Sequence, residues 1–139
     1  MKKKLVLMIC IALTAMISAC AQSADNKNVA TNEDALKLYY FHGQQRCATC
    51  RAIEETAKEL FDNQFVDEQQ NGKLIFSVID ISTPDGEKMA DHYKVAFSSL
   101  VIDKCGSVNN LTDMAFRYAR TDPDTFKARL KSEIEKLLE

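Results

Sequence analysis

The chain has 139 residues, of which 46% are hydrophobic and 27% charged, and carries a formal net charge of −2. That balance excludes the basic surface that nucleic acid requires. The length bounds the folded part to one ordinary domain.

The N-terminus reads as a secretory leader. Lys2, Lys3 and Lys4 precede an apolar run of 13 residues, Leu5 to Ile17, and small residues follow. The run is too short for a comfortable membrane span, so residues 1–19 are expected to be removed as a signal peptide. Ile17-Ser18-Ala19-Cys20 resembles the bacterial lipoprotein box. That resemblance implies that Cys20 is lipidated and becomes the first mature residue, which would anchor the protein to a membrane of the bacterial cell envelope, facing the periplasm or the exterior. Cleavage by the ordinary signal peptidase, leaving a soluble protein with a free Cys20, is the alternative. The mature chain would hold 15 basic and 20 acidic residues, a charge of −5, and no nucleic-acid partner is expected. Residues 20–34 are polar and read as a flexible tether, so the folded domain is expected over 35–139.

Within that domain strand and helix signals alternate. Leu36 to His42 is an apolar, aromatic run of strand character, and Ile53, Ala57, Leu60 and Phe61 then fall at helical spacing. Lys73 to Ile81 reads as a buried strand, Thr83-Pro84-Asp85-Gly86 as a turn, and Glu87 to Tyr93 as a short helix. Ser99 to Lys104 and Val108 to Met114 read as two strands joined by a tight turn at Cys105-Gly106. A last helix is signalled by Asp122 as cap, Pro123 at its first position, and Phe126, Leu130, Ile134, Leu137 and Leu138 along one face. The order βα, βα, ββα predicts an α/β domain.

The chemistry concentrates in Tyr39-Tyr40-Phe41-His42-Gly43-Gln44-Gln45-Arg46-Cys47-Ala48-Thr49-Cys50-Arg51. A strand runs into a Cys-x-x-Cys that opens a helix, and the unpaired amides and dipole of a helix start stabilise a thiolate there. Cys47 is therefore the expected attacking sulfur, and Cys50, one turn deeper on the same face, the resolving one. Arg46 and Arg51 flank the pair with permanent positive charge. Two other readings of the motif are weaker. A structural zinc site needs a second pair of ligands, and the chain offers only the isolated His42, His92 and Cys105. A purely structural disulfide would close a very short loop and constrain little chain entropy.

The element order with its Cys-x-x-Cys resembles the thioredoxin family over the whole domain from about Leu36 to Glu139. The residues that carry the likeness are Cys47 and Cys50, Asp80-Ile81 at the end of the second strand, and the stretch from Tyr93-Lys94-Val95 to Ser99-Leu100-Val101-Ile102. The resemblance implies a thioredoxin-like four-stranded mixed sheet flanked by helices, and a thiol-disulfide oxidoreductase that exchanges electrons with a partner protein bearing a disulfide or dithiol. No cofactor and no bound metal are expected. Three departures from the family pattern stand out. Arg46 replaces the tryptophan before the first cysteine, Ser98 takes the place of the proline that faces the disulfide, and Tyr40 or Phe41 stands where a buried acid often accepts a proton. A trans or rearranged loop is expected around Ser98. Substrate choice is not carried over.

His42, five residues before Cys47, is a candidate to accept the thiol proton or pair with the thiolate, against the plainer role of capping the strand. His92 reads as a structural surface residue. Cys105 should lie roughly 20 Å from the active end of the sheet at strand rise, too far to resolve a disulfide there. A narrower resemblance covers Tyr39 to Cys50 alone: Tyr-Tyr-Phe-His-Gly-x-x-Arg-Cys-x-Thr-Cys is similar to small secreted thioredoxin-like proteins found beside permeases for aromatic arsenicals and described as nitroreductase subunits. It would imply an accessory redox subunit whose partner holds any flavin, since the chain shows no Gly-rich phosphate loop. A binding module that captures copper(I) or arsenite through its thiolates is the remaining alternative.

Overall fold

The computed structural model describes residues 33–139. The expected leader, Cys20 and the tether up to residue 32 lie outside the described residues. Strand β1 (Leu36–His42) leads through helices α1 (Ala48–Gln64) and α2 (Val66–Gln70) to strand β2 (Leu74–Asp80). Helix α3 (Pro84–Tyr93) follows, then the hairpin β3 (Ser99–Lys104) and β4 (Ser107–Asn110), and finally helices α4 (Thr112–Tyr118) and α5 (Pro123–Leu138). The sheet order is β2-β1-β3-β4, with β1 and β2 parallel and the other pairs antiparallel. The expected four-stranded mixed sheet with flanking helices is what the chain forms. Among the described residues no helix is long and apolar enough to cross a membrane.

Strand β1 sits between β2 and β3 and feeds both faces of the sheet. Side chains alternate along a strand, so Leu36, Leu38 and Tyr40 enter one core with Ile53, Ala57, Leu60 and Phe61 of α1 and Phe126, Leu130 and Ile134 of α5. Phe41 points to the other side and packs with Val101 and with Ala90 of α3. The alternation in β3 matches: Leu100 and Ile102 join the first core, Val101 the second. Both faces of β1 are thereby fixed, and its C-terminal end is the rigid base from which the Cys-x-x-Cys departs.

Three element boundaries differ from the sequence reading, each for a local reason. Helix α3 starts at Pro84, because Thr83 acts as N-cap, with its hydroxyl oxygen accepting from the Gly86 amide at 3.1 Å, and Pro84 is preset for the first turn. The strand expected over 108–114 stops at Asn110, whose side-chain oxygen accepts from the Thr112 amide at 2.9 Å and turns the chain. Helix α4 follows: Leu111 at its N-cap, Ala115 within it and Ala119 at its C-cap, spaced by four, are all buried in the main core. The short helix α2 has no buried residue and gave no apolar period to read.

The beginning of α3 is packed against β2. A Cβ added at Gly86 would stand 1.9 Å from the Asp80 backbone oxygen, whereas one at Gly43 would meet nothing within 4 Å. Gly86→Ala should therefore cost about 1–3 kcal/mol and Gly43→Ala less than about 0.5 kcal/mol; urea unfolding of the two variants checks the contrast.

On the α3 face the Tyr93 hydroxyl donates to the buried Asp103 carboxylate at 2.7 Å, and the Gly106 amide donates to the same carboxylate at 2.8 Å. Burial, then the bond to Asp103, pushes the Tyr93 phenol well above its ordinary value. The folded state thus favours the protonated phenol, so this stabilisation is complete below the unfolded value near pH ~10 and fades above it. Tyr93→Phe should lose about 1–2 kcal/mol at neutral pH, and the wild type's advantage should shrink as pH rises past ~10, as read by urea midpoints across pH.

Candidate active site

Cys47 is the N-cap of α1, with extended backbone (φ −71°, ψ 167°) and a sulfur that accepts from the Cys50 amide at 3.2 Å. The first turn, Ala48-Thr49-Cys50-Arg51, holds no acidic side chain, so the positive end of the helix faces the cysteine without competition. Cys47 is exposed and Cys50 is buried, 5% accessible. Their sulfurs lie 2.7 Å apart and are unbonded, so closing the bond, about 2.05 Å long, needs little motion.

The surroundings of Cys50 come from two further elements. From β1, the buried Tyr40 hydroxyl donates to the Cys50 backbone carbonyl at 2.8 Å. From the loop before β3, the Ser98 hydroxyl lies 3.7 Å from the Cys50 sulfur. Among the described residues all peptide bonds are trans, including that of Ser98. Burial pushes the Cys50 thiol up, but contacts with Cys47, Ser98 and Tyr40 outweigh it and leave the thiol below its ordinary value.

Arg46 directs its charge to Glu54. Its guanidinium pairs with Glu54 of α1 and lies 5.9 Å from the centre of the Tyr40 ring, while its Nε is buried without a hydrogen-bond partner. Arg51 donates to the Arg46 carbonyl at 2.9 Å and braces the approach to the helix. His42 contacts the Gly43 carbonyl through Nδ1 at 3.0 Å and makes no hydrogen bond to either sulfur. It stands beside Asp80 in the sheet register. Asp80 is held below the usual carboxylate range, first by its bonds from Ser82 and then by the fields of His42 and Arg46.

Cys47 and Cys50 therefore come together, Arg46 turns to Glu54 and the Tyr40 ring, and His42 stays with the Gly43 carbonyl. Tyr40 was legible only as one of two residues, with Phe41, that could stand in for a buried acid. Glu54, which takes the charge of Arg46, carried no signal beyond its place one turn after Cys50. Cys105 lies at the β3–β4 turn at the opposite end of the sheet, with φ 52° and its sulfur 3.8 Å from Asp34. His92 is exposed and stacks edge-on against Tyr93. No group of three or more His, Cys, Asp or Glu gathers for a metal ion among the described residues.

Several solved structures align with this chain. Thioredoxin O2 from Arabidopsis thaliana in its oxidised state aligns with a TM-score of 0.51 at 19% identity, over 76% of this chain and 77% of that one. The fold is thioredoxin-like. Trxlp from Edwardsiella tarda EIB202 aligns at 16% identity with a TM-score of 0.49, covering 70% of this chain and 82% of its own. Thioredoxin from Trypanosoma brucei brucei aligns at 15% identity with a TM-score of 0.43, covering 86% and 97%. No family model and no curated protein matches the sequence.

The difference in exposure between the two sulfurs sets their order of reaction. Iodoacetamide should modify Cys47 and the exposed Cys105 before the buried Cys50 in the reduced protein, and this difference should vanish in urea. Peptide mass mapping over time reads the order, and equal rates for all three thiols under native conditions would contradict the arrangement.

Proposed function

We propose that the protein is a thiol-disulfide oxidoreductase that exchanges electrons with a partner through Cys47 and Cys50. The observation that carries this reading is an exposed sulfur on a helix N-cap, 2.7 Å from a buried sulfur one turn deeper, at the end of the central strand of a thioredoxin-like sheet. In the reducing direction the Cys47 thiolate attacks one sulfur of a partner disulfide, forms a mixed disulfide and expels the other partner sulfur as a thiolate. The Cys50 thiolate then attacks the Cys47 sulfur, which forms the internal disulfide and releases the second partner thiolate. Two electrons have passed to the partner, and the released thiolates take up protons according to pH. The opposite direction runs the same steps backwards. The chemistry needs no cofactor.

The leader and the Ile17-Ser18-Ala19-Cys20 run support a second part of the proposal. The domain is held by lipid on Cys20 in the cell envelope, on a polar tether, and meets partners within reach of that membrane. Disulfides persist in such a compartment, which suits the exchange.

Replacing Cys50 by Ser removes the resolving sulfur and leaves the attacking one. Cys50→Ser should accumulate mixed disulfides through Cys47 with envelope partners, while Cys47→Ser should accumulate none. Non-reducing gels followed by mass spectrometry of the trapped species check this. Equal absence of adducts in both variants would remove the oxidoreductase reading.

A further inference from the structure

We propose that Ser98 is a catalytic residue of the resolving step: its hydroxyl, 3.7 Å from the Cys50 sulfur, accepts a hydrogen bond from the buried thiol and returns one to the thiolate as it attacks Cys47. This role rests on the oxidoreductase reading and adds to it the group that prepares the second sulfur. A proline in that place would have no hydroxyl to offer.

Cys50 needs such help because it is enclosed. It is 5% accessible, and burial opposes the charged form that resolution requires. Ser98 is half-buried, so its hydroxyl stands between the enclosed sulfur and solvent. The residues after it fix its place. Ser99 opens β3 opposite Phe41 of β1, at the strand end from which the Cys-x-x-Cys departs, and its hydroxyl donates to the Phe97 carbonyl at 2.8 Å. Leu100 donates its amide to the Thr112 hydroxyl at 3.0 Å. Ser98 is thereby held against Cys50 although 48 positions separate them.

A serine hydroxyl has one proton to give and two lone pairs to receive. In the resting dithiol the Cys50 thiol donates to Ser98; once that proton has passed to water, the hydroxyl turns and donates to the thiolate. The thiolate's electron pair then forms the Cys47–Cys50 bond, the bond from Cys47 to the partner sulfur breaks, and that sulfur leaves as a thiolate. The other titratable groups around Cys50 are engaged elsewhere at that moment. Cys47, 2.7 Å away, is bonded to the partner, the Tyr40 hydroxyl gives its proton to the Cys50 carbonyl, Arg46 pairs with Glu54, and His42 contacts the Gly43 carbonyl. In the resting protein burial raises the Cys50 thiol, and the hydrogen bonds to Cys47 and Ser98 lead the contacts that outweigh it.

Glutathione disulfide separates the two steps. Attack by Cys47 forms a glutathione adduct and releases one glutathione thiolate; closure by Cys50 consumes the adduct and releases the second. Reduced full-length wild type, Ser98→Ala and Ser98→Thr are mixed with glutathione disulfide at several pH values and quenched in acid over time, and the Cys47 adduct and the Cys47–Cys50 disulfide are quantified by peptide mass. Ser98→Ala should accumulate adduct, with closure about three- to tenfold slower at pH ~7, because the thiolate fraction falls more than the nucleophilicity of the remaining thiolate rises. The rate of attack by Cys47 should stay as in the wild type. At pH ~10, where thiols ionise without help, closure in Ser98→Ala should match or overtake the wild type. Ser98→Thr keeps the hydroxyl and should close as the wild type does. A folded Ser98→Ala that closes at the wild-type rate at every pH overturns the role of Ser98, even with Cys50→Ser still trapping partners. A slowing that is equal at every pH, or that Ser98→Thr shares, marks a change of packing and overturns it as well. Should Ser98→Ala fail to fold, Ser98→Gly removes the hydroxyl in its stead and is held to the same outcomes. A wild type that forms no Cys47–Cys50 disulfide with glutathione removes the oxidoreductase reading itself.

Discussion

The hydrogen bond from the Tyr40 hydroxyl to the Cys50 carbonyl joins the two elements on which the site depends. Strand β1 is the only part of the sheet paired in parallel on one side and antiparallel on the other, and its side chains feed both cores. Its position is over-determined. Helix α1, by contrast, begins after an irregular stretch, 43–47, whose residues are exposed or half-buried. The bond transfers the rigidity of the strand to the first turn of the helix, and a dithiol site needs this, because sulfur-to-sulfur chemistry tolerates little misplacement.

The two faces of the sheet are covered unequally, and this bears on how the ends of the domain differ. One face carries α1, α4 and α5 over a large aliphatic and aromatic core. The other carries α3 over a small one, supplemented by the ring contacts of Tyr39, Phe41 and Tyr93 and by the Tyr93–Asp103 bond. A buried carboxylate is tolerated there because two donors satisfy it. Both donors lie towards the hairpin end, where Cys105 turns the chain. The reactive end is built differently, from a helix start and a strand end with an exposed sulfur between them.

Much of this order was legible in the sequence. The boundaries of β1 and α5 could be read because each carries its own signals: a continuous apolar run for the strand, and Asp122 with Pro123 for the helix. Thr83-Pro84-Asp85-Gly86 was ambiguous, since the residues that make a turn also cap a helix, and only packing against Asp80 decides between them. The segment after Asn110 misled because Val108, Leu111 and Met114 fit a strand as well as a helix until Ala115 and Ala119 are seen in the core. In the site, Cys47 and Cys50 announced themselves through spacing. The partner of Arg46 did not, because Glu54 is eight residues away across a stretch that is only partly helical, and no periodicity connects them.

Tyr40 and Ser98, from two different elements, act on one sulfur. The resemblance leaves Tyr40 or Phe41 where a buried acid often stands; an acid at Tyr40 would repel a thiolate at Cys50 once ionised, and a proline at position 98 would offer no hydroxyl. At residues 40 and 98 this chain has a phenol and a serine hydroxyl, and both lower the Cys50 thiol. Arg46, in the place of a tryptophan, reaches the same centre through the ring of Tyr40. A neutral donor and an ionised acid have opposite signs of interaction with a thiolate, so Tyr40 and Ser98, far apart along the chain, act in one direction on Cys50. The buried cysteine, rather than the exposed one, is where these side chains converge.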